Sequence, residues 1–293
     1  MPEGPEIQIA CDKVARVVEG HTLKKVQIPW TPLADYEERW TGRTVKKMEA
    51  RGKALLFHFD CGDVLYTHNQ LYGRWLTRRK PEQPQSNRTL RLAFYTDKGG
   101  AFLYSATDLE VLMPNELATH PYVGSLGPDI LDSNLTPAKV KKRLLQKRFR
   151  NRQLASLYLD QSFLAGPGNY LRSEILFCAG LAPRVKPSQL NDDQLKTLAE
   201  ETLKLSRRSY KTKGYTTDPA LAEKLKEAGE RRRSRRHYVF GRAGAPCRTC
   251  QTPIEKVAIS SRSVFFCPEC QGWAAAAQIF LTLLQSSAGR SAS

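Results

Sequence analysis

The sequence predicts an α+β protein of several domains. Three observations carry that prediction: short β-type runs fill residues 22 to 112, helical spacing follows a break at 127 to 137, and two Cys-x-x-Cys pairs stand sixteen residues apart near the end. The 293 residues are enough for more than one domain, and a hydrophobic content of 41% is compatible with packed cores.

The first element is a helix. Pro5 suits an opening helical position, and Glu3 and Glu6 suit the positive end of a helix dipole. Ile7, Cys11, Val14 and Val18 then recur at helical spacing before Gly20. The runs TLKKVQI, TVKKMEA, KALLFHFD, DVLYTH, TLRLAFYT and AFLYSA follow, separated by turns such as Cys61-Gly62-Asp63 and Lys98-Gly99-Gly100, which fits an antiparallel sandwich or barrel. GPDILDSNLTP at 127 to 137 has no period and reads as a linker.

Helices follow. Thr136-Pro137 opens one with Val140 and Leu144 on one side; Leu154, Leu157, Phe163 and Leu164 suggest a second; Leu171, Ile175 and Cys178 mark a third after Gly166-Pro167-Gly168-Asn169. Gln189 to Leu205 reads as helical, and Ser206 to Glu230 as a polar, mobile stretch. The apolar stretch WAAAAQIFLTLL near the end is too short to span a bilayer, and the N-terminus carries no signal-peptide pattern.

Lys and Arg total 46 against 29 Asp and Glu, a formal net charge of +17. A surplus this large points to a polyanionic partner and to salt-sensitive binding through counterion release. The cations cluster in KKRLLQKRFRNR at 141 to 152 and RRRSRRHY at 231 to 238, although a charge run alone is usually just a solvated face.

Of seven cysteines, Cys11, Cys61 and Cys178 stand alone in apolar surroundings and read as small core residues in a reducing compartment. Cys247, Cys250, Cys267 and Cys270 suit a tetrahedral four-thiolate zinc site; redox-active thiols would need only one pair. Four sulfurs close the coordination shell, so the metal is structural. The chain between the pairs reads as a β-hairpin with Arg262 near its tip, where a guanidinium is either one more exposed cation or a fork for a phosphate.

Excision of Met1 would expose the secondary amine of Pro2. Far more of an α-amino group than of a lysine side chain is neutral and nucleophilic near neutral pH, because its pKa is about two to three units lower. Its condensation with an aldehyde gives an iminium that is cationic without a proton, an electron sink for elimination at the neighbouring carbon. Glu3 and Glu6 would serve as acid and base groups. On these residues alone, a solvated polar terminus is the simpler reading.

Asn169 can cap the third helix, whose outward N–H groups would form an anion site. In HNQLYG at 68 to 73, Leu71 and Tyr72 are either core residues or a wedge that enters a base stack. Lys53, in RGKALL, is either a surface cation or part of a site, and His58 and His68 read as structural.

The order of these motifs along one chain, PEGPE, RGKALL, HNQLYG, FLAGPGNYLRSEIL and a four-cysteine ribbon, resembles the formamidopyrimidine-DNA glycosylase and endonuclease VIII family over residues 1 to 271. Within it, Gln70-Leu71-Tyr72 is similar to the endonuclease VIII branch. The resemblance implies an N-terminal catalytic β-sandwich at 1–127, a linker at 128–136, a helix-two-turn-helix domain at 137–240, a zinc ribbon at 241–271 and a tail at 272–293. DNA would lie between the two main domains.

It also implies roles. Pro2 would attack C1′ of the damaged nucleotide, with Glu3 as proton donor and Glu6 as a supporting carboxylate. Lys53 would assist β-elimination, Arg262 δ-elimination, and Asn169 would contact the backbone. Gln70, Leu71 and Tyr72 would fill the gap left by the flipped base. The implied protein is a bifunctional glycosylase and abasic-site lyase for oxidised pyrimidines; oxidised purines, or damage binding without catalysis, are the alternatives. One structural zinc, damaged double-stranded DNA as partner, no membrane, a monomeric state and a bacterial cytoplasmic, nucleoid-associated location complete the expectation. The chain departs from the branch at GSLGPD, where Ser125 stands in place of a DNA-contacting arginine, and in continuing past Cys270.

Overall fold

The computed structural model describes residues 2 to 272, and the chain separates into two compact units. The expected tail from position 273 onward lies outside the described residues.

The first unit comprises residues up to Leu131 together with Leu164–Gly166. It opens with α1 (Gly4–Val18), whose Ile7, Cys11, Val14 and Val18 are buried as their spacing requires. Then come β1 (Lys25–Gln27), α2 (Tyr36–Trp40), β2 (Val45–Arg51), β3 (Ala54–Phe59), β4 (Val64–His68), β5 (Arg74–Arg78), β6 (Leu90–Thr96), β7 (Gly99–Tyr104) and β8 (Asp108–Leu112). They form two antiparallel four-stranded sheets, ordered β2-β3-β4-β8 and β1-β6-β7-β5.

Alternation explains why β3 reads as an unbroken apolar run. Leu55, Phe57 and Phe59 enter the core shared with α1 and the second sheet, while Ala54 and Leu56 face the opposite side, beneath Leu117, Tyr122 and Val123. Aromatic rings knit the two sheets: Phe57 lies 5.2 Å from Trp75 and 5.7 Å from Phe94 between ring centres. A bulge at Arg91 lets Leu90 and Leu92, two residues apart, serve opposite faces of β6.

The sequence reading has no strand at β5 or β8. Both are five residues long and only partly buried, so their alternation is diluted by Arg74, Arg78, Asp108 and Glu110.

The second unit holds residues 132–163 and those from Pro167 onward. Its elements are α3 (Pro137–Leu144), α4 (Leu154–Leu157), α5 (Asn169–Cys178), α6 (Asp192–Lys211), α7 (Pro219–Glu227), α8 (Arg232–Arg235) and the hairpin β9 (Glu255–Ile259) and β10 (Arg262–Phe266). Thr136 caps α3 by accepting the Lys139 N–H, with Pro137 in the first turn. α5 lies at the centre: every residue from Tyr170 to Phe177 is buried, including Arg172, Ser173 and Glu174.

Two helical expectations are corrected. The second helix is only the single turn α4, because Asp160 turns the chain by accepting the Ser162 N–H and an Arg152 Nη1–H. Residues 206–230, expected as a polar, mobile stretch, carry regular helix over much of their length: α6 runs on to Lys211, and α7 starts at an Asp218 cap followed by Pro219. Their exposed faces are polar, which masks the helical period.

Candidate active site

In the first unit, Pro2 is half-buried immediately ahead of α1, and Glu3 is 4% exposed in extended conformation at its N-cap. Glu6 reaches back one turn, its Oε2 accepting the Glu3 N–H at 3.1 Å. The Gly4 N–H donates to the Gly166 carbonyl at 2.9 Å. Contact this close needs glycine at position 4: a Cβ there would sit 2.9 Å from the Gly166 Cα. The glycine turn expected only to bring two helices together therefore also holds the start of α1.

Lys53 is the second residue of the turn between β2 and β3 and is 8% exposed. The structure fixes this turn through two groups that sequence reasoning missed. The Gly52 N–H donates to Asp129 Oδ2 at 3.0 Å, and the Lys53 N–H donates to the Tyr122 hydroxyl at 2.8 Å. Burial pushes the Tyr122 phenol up to about 12, so it stays neutral while accepting that bond. Asp129 also accepts the Leu131 N–H through Oδ1, an Asx turn that its place after Pro128 could have signalled.

At the end of β4, His68 Nδ1 accepts the Gln70 N–H at 3.1 Å. Burial and the neighbouring Lys53 charge hold His68 below the usual histidine range, which favours the neutral ring, and the Gln70 N–H selects the tautomer with a bare Nδ1. Gln70 adopts a left-handed φ of 45° and is anchored by Thr107, whose hydroxyl donates to Oε1, and by Asp108, which accepts from Nε2. Leu71 and Tyr72 are not core: they are 57% and 68% exposed beside that anchored residue. Ser125 is exposed and donates its hydroxyl hydrogen to the Tyr122 carbonyl. His58 is structural, paired with Glu49 at 2.9 Å.

In the second unit, Asn169 is the first residue of α5, and Gly168 takes the cap. That corrects the capping expectation. The Asn169 carboxamide is recruited instead by Arg172, whose Nη2 donates to Asn169 Oδ1 at 2.7 Å and to the Arg262 carbonyl at 3.1 Å. Arg172, fully buried and absent from the sequence reading, thus ties two candidate phosphate contacts together. Arg262 itself is exposed, directly after a turn in which Ser260 and Ser261 both have positive φ.

The four cysteine sulfurs lie within 4.8 Å of one another, with Cys247 to Cys270 at 3.8 Å and Cys250 to Cys267 at 3.4 Å. A tetrahedral zinc with bonds of about 2.3 Å requires sulfur separations of about 3.8 Å, so the donors fit. Backbone N–H groups of Thr249 and Cys270 point at Cys247 and Cys267 Sγ, the orientation that supports thiolates.

Family models match along the chain: the formamidopyrimidine-DNA glycosylase N-terminal domain at residues 1–107, its helix-two-turn-helix domain at 126–219, and a zinc finger found in that glycosylase and isoleucyl-tRNA synthetase at 244–272. Endonuclease 8 of Escherichia coli strain K12 is 46% identical over 271 residues, 92% of this chain and 100% of the relative. The chain belongs to the formamidopyrimidine-DNA glycosylase and endonuclease VIII family.

Endonuclease 8 of Shigella sonnei gives the same identity and coverage. Lactococcus lactis formamidopyrimidine-DNA glycosylase, solved with DNA containing an abasic site, shares the fold with a TM-score of 0.73 at 19% identity, covering 92% of this chain and 99% of that one. A Lactococcus lactis complex with DNA carrying an N7-benzylated formamidopyrimidine lesion matches at 0.74 and 20%. As a family member the protein is a base-excision DNA glycosylase with abasic-site lyase activity, and it takes one structural zinc ion. No helix among the described residues is long and apolar enough to cross a membrane.

Proposed function

We propose that the protein removes oxidised pyrimidines from duplex DNA and cuts the strand at the abasic site through a Schiff base on Pro2. The observation that carries this reading is the fixed start of α1, where Glu6 and Gly166 hold the amides of Glu3 and Gly4 and so pin the backbone beside Pro2.

The Pro2 lone pair attacks C1′, the C1′–N bond breaks, and the departing base takes a proton from Glu3; the Glu3 carboxylate then takes the Pro2 N–H proton and passes it to O4′ as the C1′–O4′ bond breaks and the sugar ring opens. The resulting iminium acidifies the C2′ hydrogen. Its removal, assisted by Lys53, expels the 3′ phosphate as the C3′–O bond breaks; a second elimination, assisted by Arg262, expels the 5′ phosphate. Water then hydrolyses the imine and returns the free amine. Gln70, Leu71 and Tyr72 fill the space left by the extruded nucleotide, and Asn169 and Arg262 hold backbone phosphates. Zinc takes no part in the chemistry; bound by Cys247, Cys250, Cys267 and Cys270, it fixes the hairpin that carries Arg262. The surplus of positive charge supports duplex DNA as partner, and we place the enzyme in the bacterial cytoplasm as a monomer on the nucleoid.

Borohydride trapping on duplexes with thymine glycol or 8-oxoguanine tests this, with Pro2→Gly as control. The expected result is an adduct mainly on thymine glycol that weakens in the control. An adduct mainly on 8-oxoguanine would move the protein to purine repair, and none on either would refute the covalent mechanism.

A further inference from the structure

The arginine run at 231–236 has no role in the chemistry above, yet it is firmly held. Arg236 Nε donates to the Gly214 carbonyl at 2.8 Å, and Arg232 donates to the Lys213 carbonyl while lying 5.4 Å over the Tyr215 ring. From the other side the zinc knuckle grips it. Arg248, between Cys247 and Cys250, forks onto Glu230 with Nη1–Oε1 at 3.1 Å and Nη2–Oε2 at 2.8 Å, and also donates to the Ser234 carbonyl. Glu230 in turn accepts the Ser234 hydroxyl hydrogen at 2.6 Å.

Inside this frame, Arg231 and Arg233 are exposed, and among the described residues neither has an acidic partner. In the other basic run, Lys141 pairs with Asp192, Arg152 with Asp160, and Arg143 donates to backbone carbonyls, while Lys142, Lys147 and Arg150 are exposed without an acidic partner among the described residues. The large exposed apolar side chains, Leu71, Tyr72, Met113 and Leu145, all lie outside the 231–236 segment. A fixed cationic strip with neither an apolar anchor for a protein nor a free aromatic face for bases matches the phosphates of a duplex.

We propose that Arg231 and Arg233 form a second phosphate-binding strip for duplex DNA, and that Arg248 and Glu230 tether it to the zinc ribbon. The strip rests on the glycosylase reading, since it extends the footprint on the same ligand. Binding of a duplex carrying a tetrahydrofuran abasic analogue, measured from low to moderate NaCl, tests it. Each phosphate neutralised contributes about 0.9 to the slope of log affinity against log salt. Arg231→Ala/Arg233→Ala should therefore flatten the slope by about 1.8, and the double lysine variant should restore it. An unchanged slope in the alanine variant would overturn the strip.

Glu230→Ala separates tethering from simple charge. It makes the protein more positive, so charge alone predicts tighter binding, whereas loss of the tether predicts binding several-fold weaker with the zinc content intact. Tighter binding would refute the tether. Trapping by the unmodified protein decides the glycosylase reading separately, because its failure leaves the slope comparison interpretable.

Discussion

Gly166 shows how much the site depends on single backbone positions. Its φ of 111° is strained for any residue with a side chain, and a Cβ there would lie 2.9 Å from Ile130 Cγ1. Gly166→Ala should cost about 1–3 kcal/mol of stability and, by displacing the carbonyl that holds Gly4, should lower the Schiff-base yield more than the loss of fold explains. Thermal unfolding and trapping on the same preparation would show this, and a full yield would mean the contact does not position Pro2. Tyr122 makes a matching case at Lys53. Tyr122→Phe leaves the buried Lys53 N–H without its acceptor, a loss of about 1–3 kcal/mol, and should slow strand cleavage more than base release. Equal slowing of both steps would rule out a specific role in elimination. Neither partner was legible in the sequence, because Tyr122 stands 69 residues from Lys53 and Gly166 stands 162 from Gly4. The motifs proposed as nucleophile and wedge stood out in the sequence because each is a run of contiguous residues.

Elements explain the rest of the site. The loop after β4 presents Leu71 and Tyr72 to solvent only because Gln70 is pinned by His68, Thr107 and Asp108. Removing exposed side chains costs little stability, so Leu71→Ala/Tyr72→Ala should leave the melting temperature nearly unchanged while weakening binding to an abasic duplex. A matching loss on undamaged duplex would argue against the wedge. Between α8 and the ribbon, burial depresses His237 to about 4, with its Nδ1 beside the Thr216 hydroxyl and its ring tilted against Tyr170 at 5.2 Å between centres. Its pKa in the fold lies below the usual 6.5, so the unfolded chain takes up the proton first. The stability tied to neutral His237 is thus full above about pH 6.5, declines as pH falls toward 4, and levels off below that. Urea midpoints measured from pH 7 to 4 should fall, and the fall should shrink in His237→Gln. An identical pH profile in that variant would assign the effect elsewhere. The last turns of α6 and the whole of α7 show where sequence legibility ended: a cap at Asp218 opens α7, but the polar solvent faces there hide the apolar period.

At the scale of the molecule, two compact units each carry their own core. The first is built on Phe57, Trp75, Phe94 and the buried face of α1, the second on α5 and α6 with a separate cluster of Phe177, Val239 and Ile254 under the zinc cysteines. Overall composition made this division legible, since strands give way to helices near position 130, whereas the return of Leu164–Gly166 to the first unit was not, because no local pattern records a long-range backbone contact. The division has a thermodynamic consequence. A structural zinc contributes its binding free energy to the fold of the unit that contains it, and all four cysteines belong to the second. Chelating the metal should therefore lower the unfolding transition of the second unit. The transition reported by the tryptophans at 30, 40 and 75, all in the first unit, should move far less once the fourth, Trp273, is replaced by phenylalanine. Stripping zinc and following unfolding by tryptophan fluorescence and by far-ultraviolet circular dichroism should give two separated transitions where the metal-loaded protein gives closer ones. If both signals shift together by the same amount, the units unfold as one, and the loss of zinc would then reach Pro2 and Lys53 as directly as it reaches Arg262.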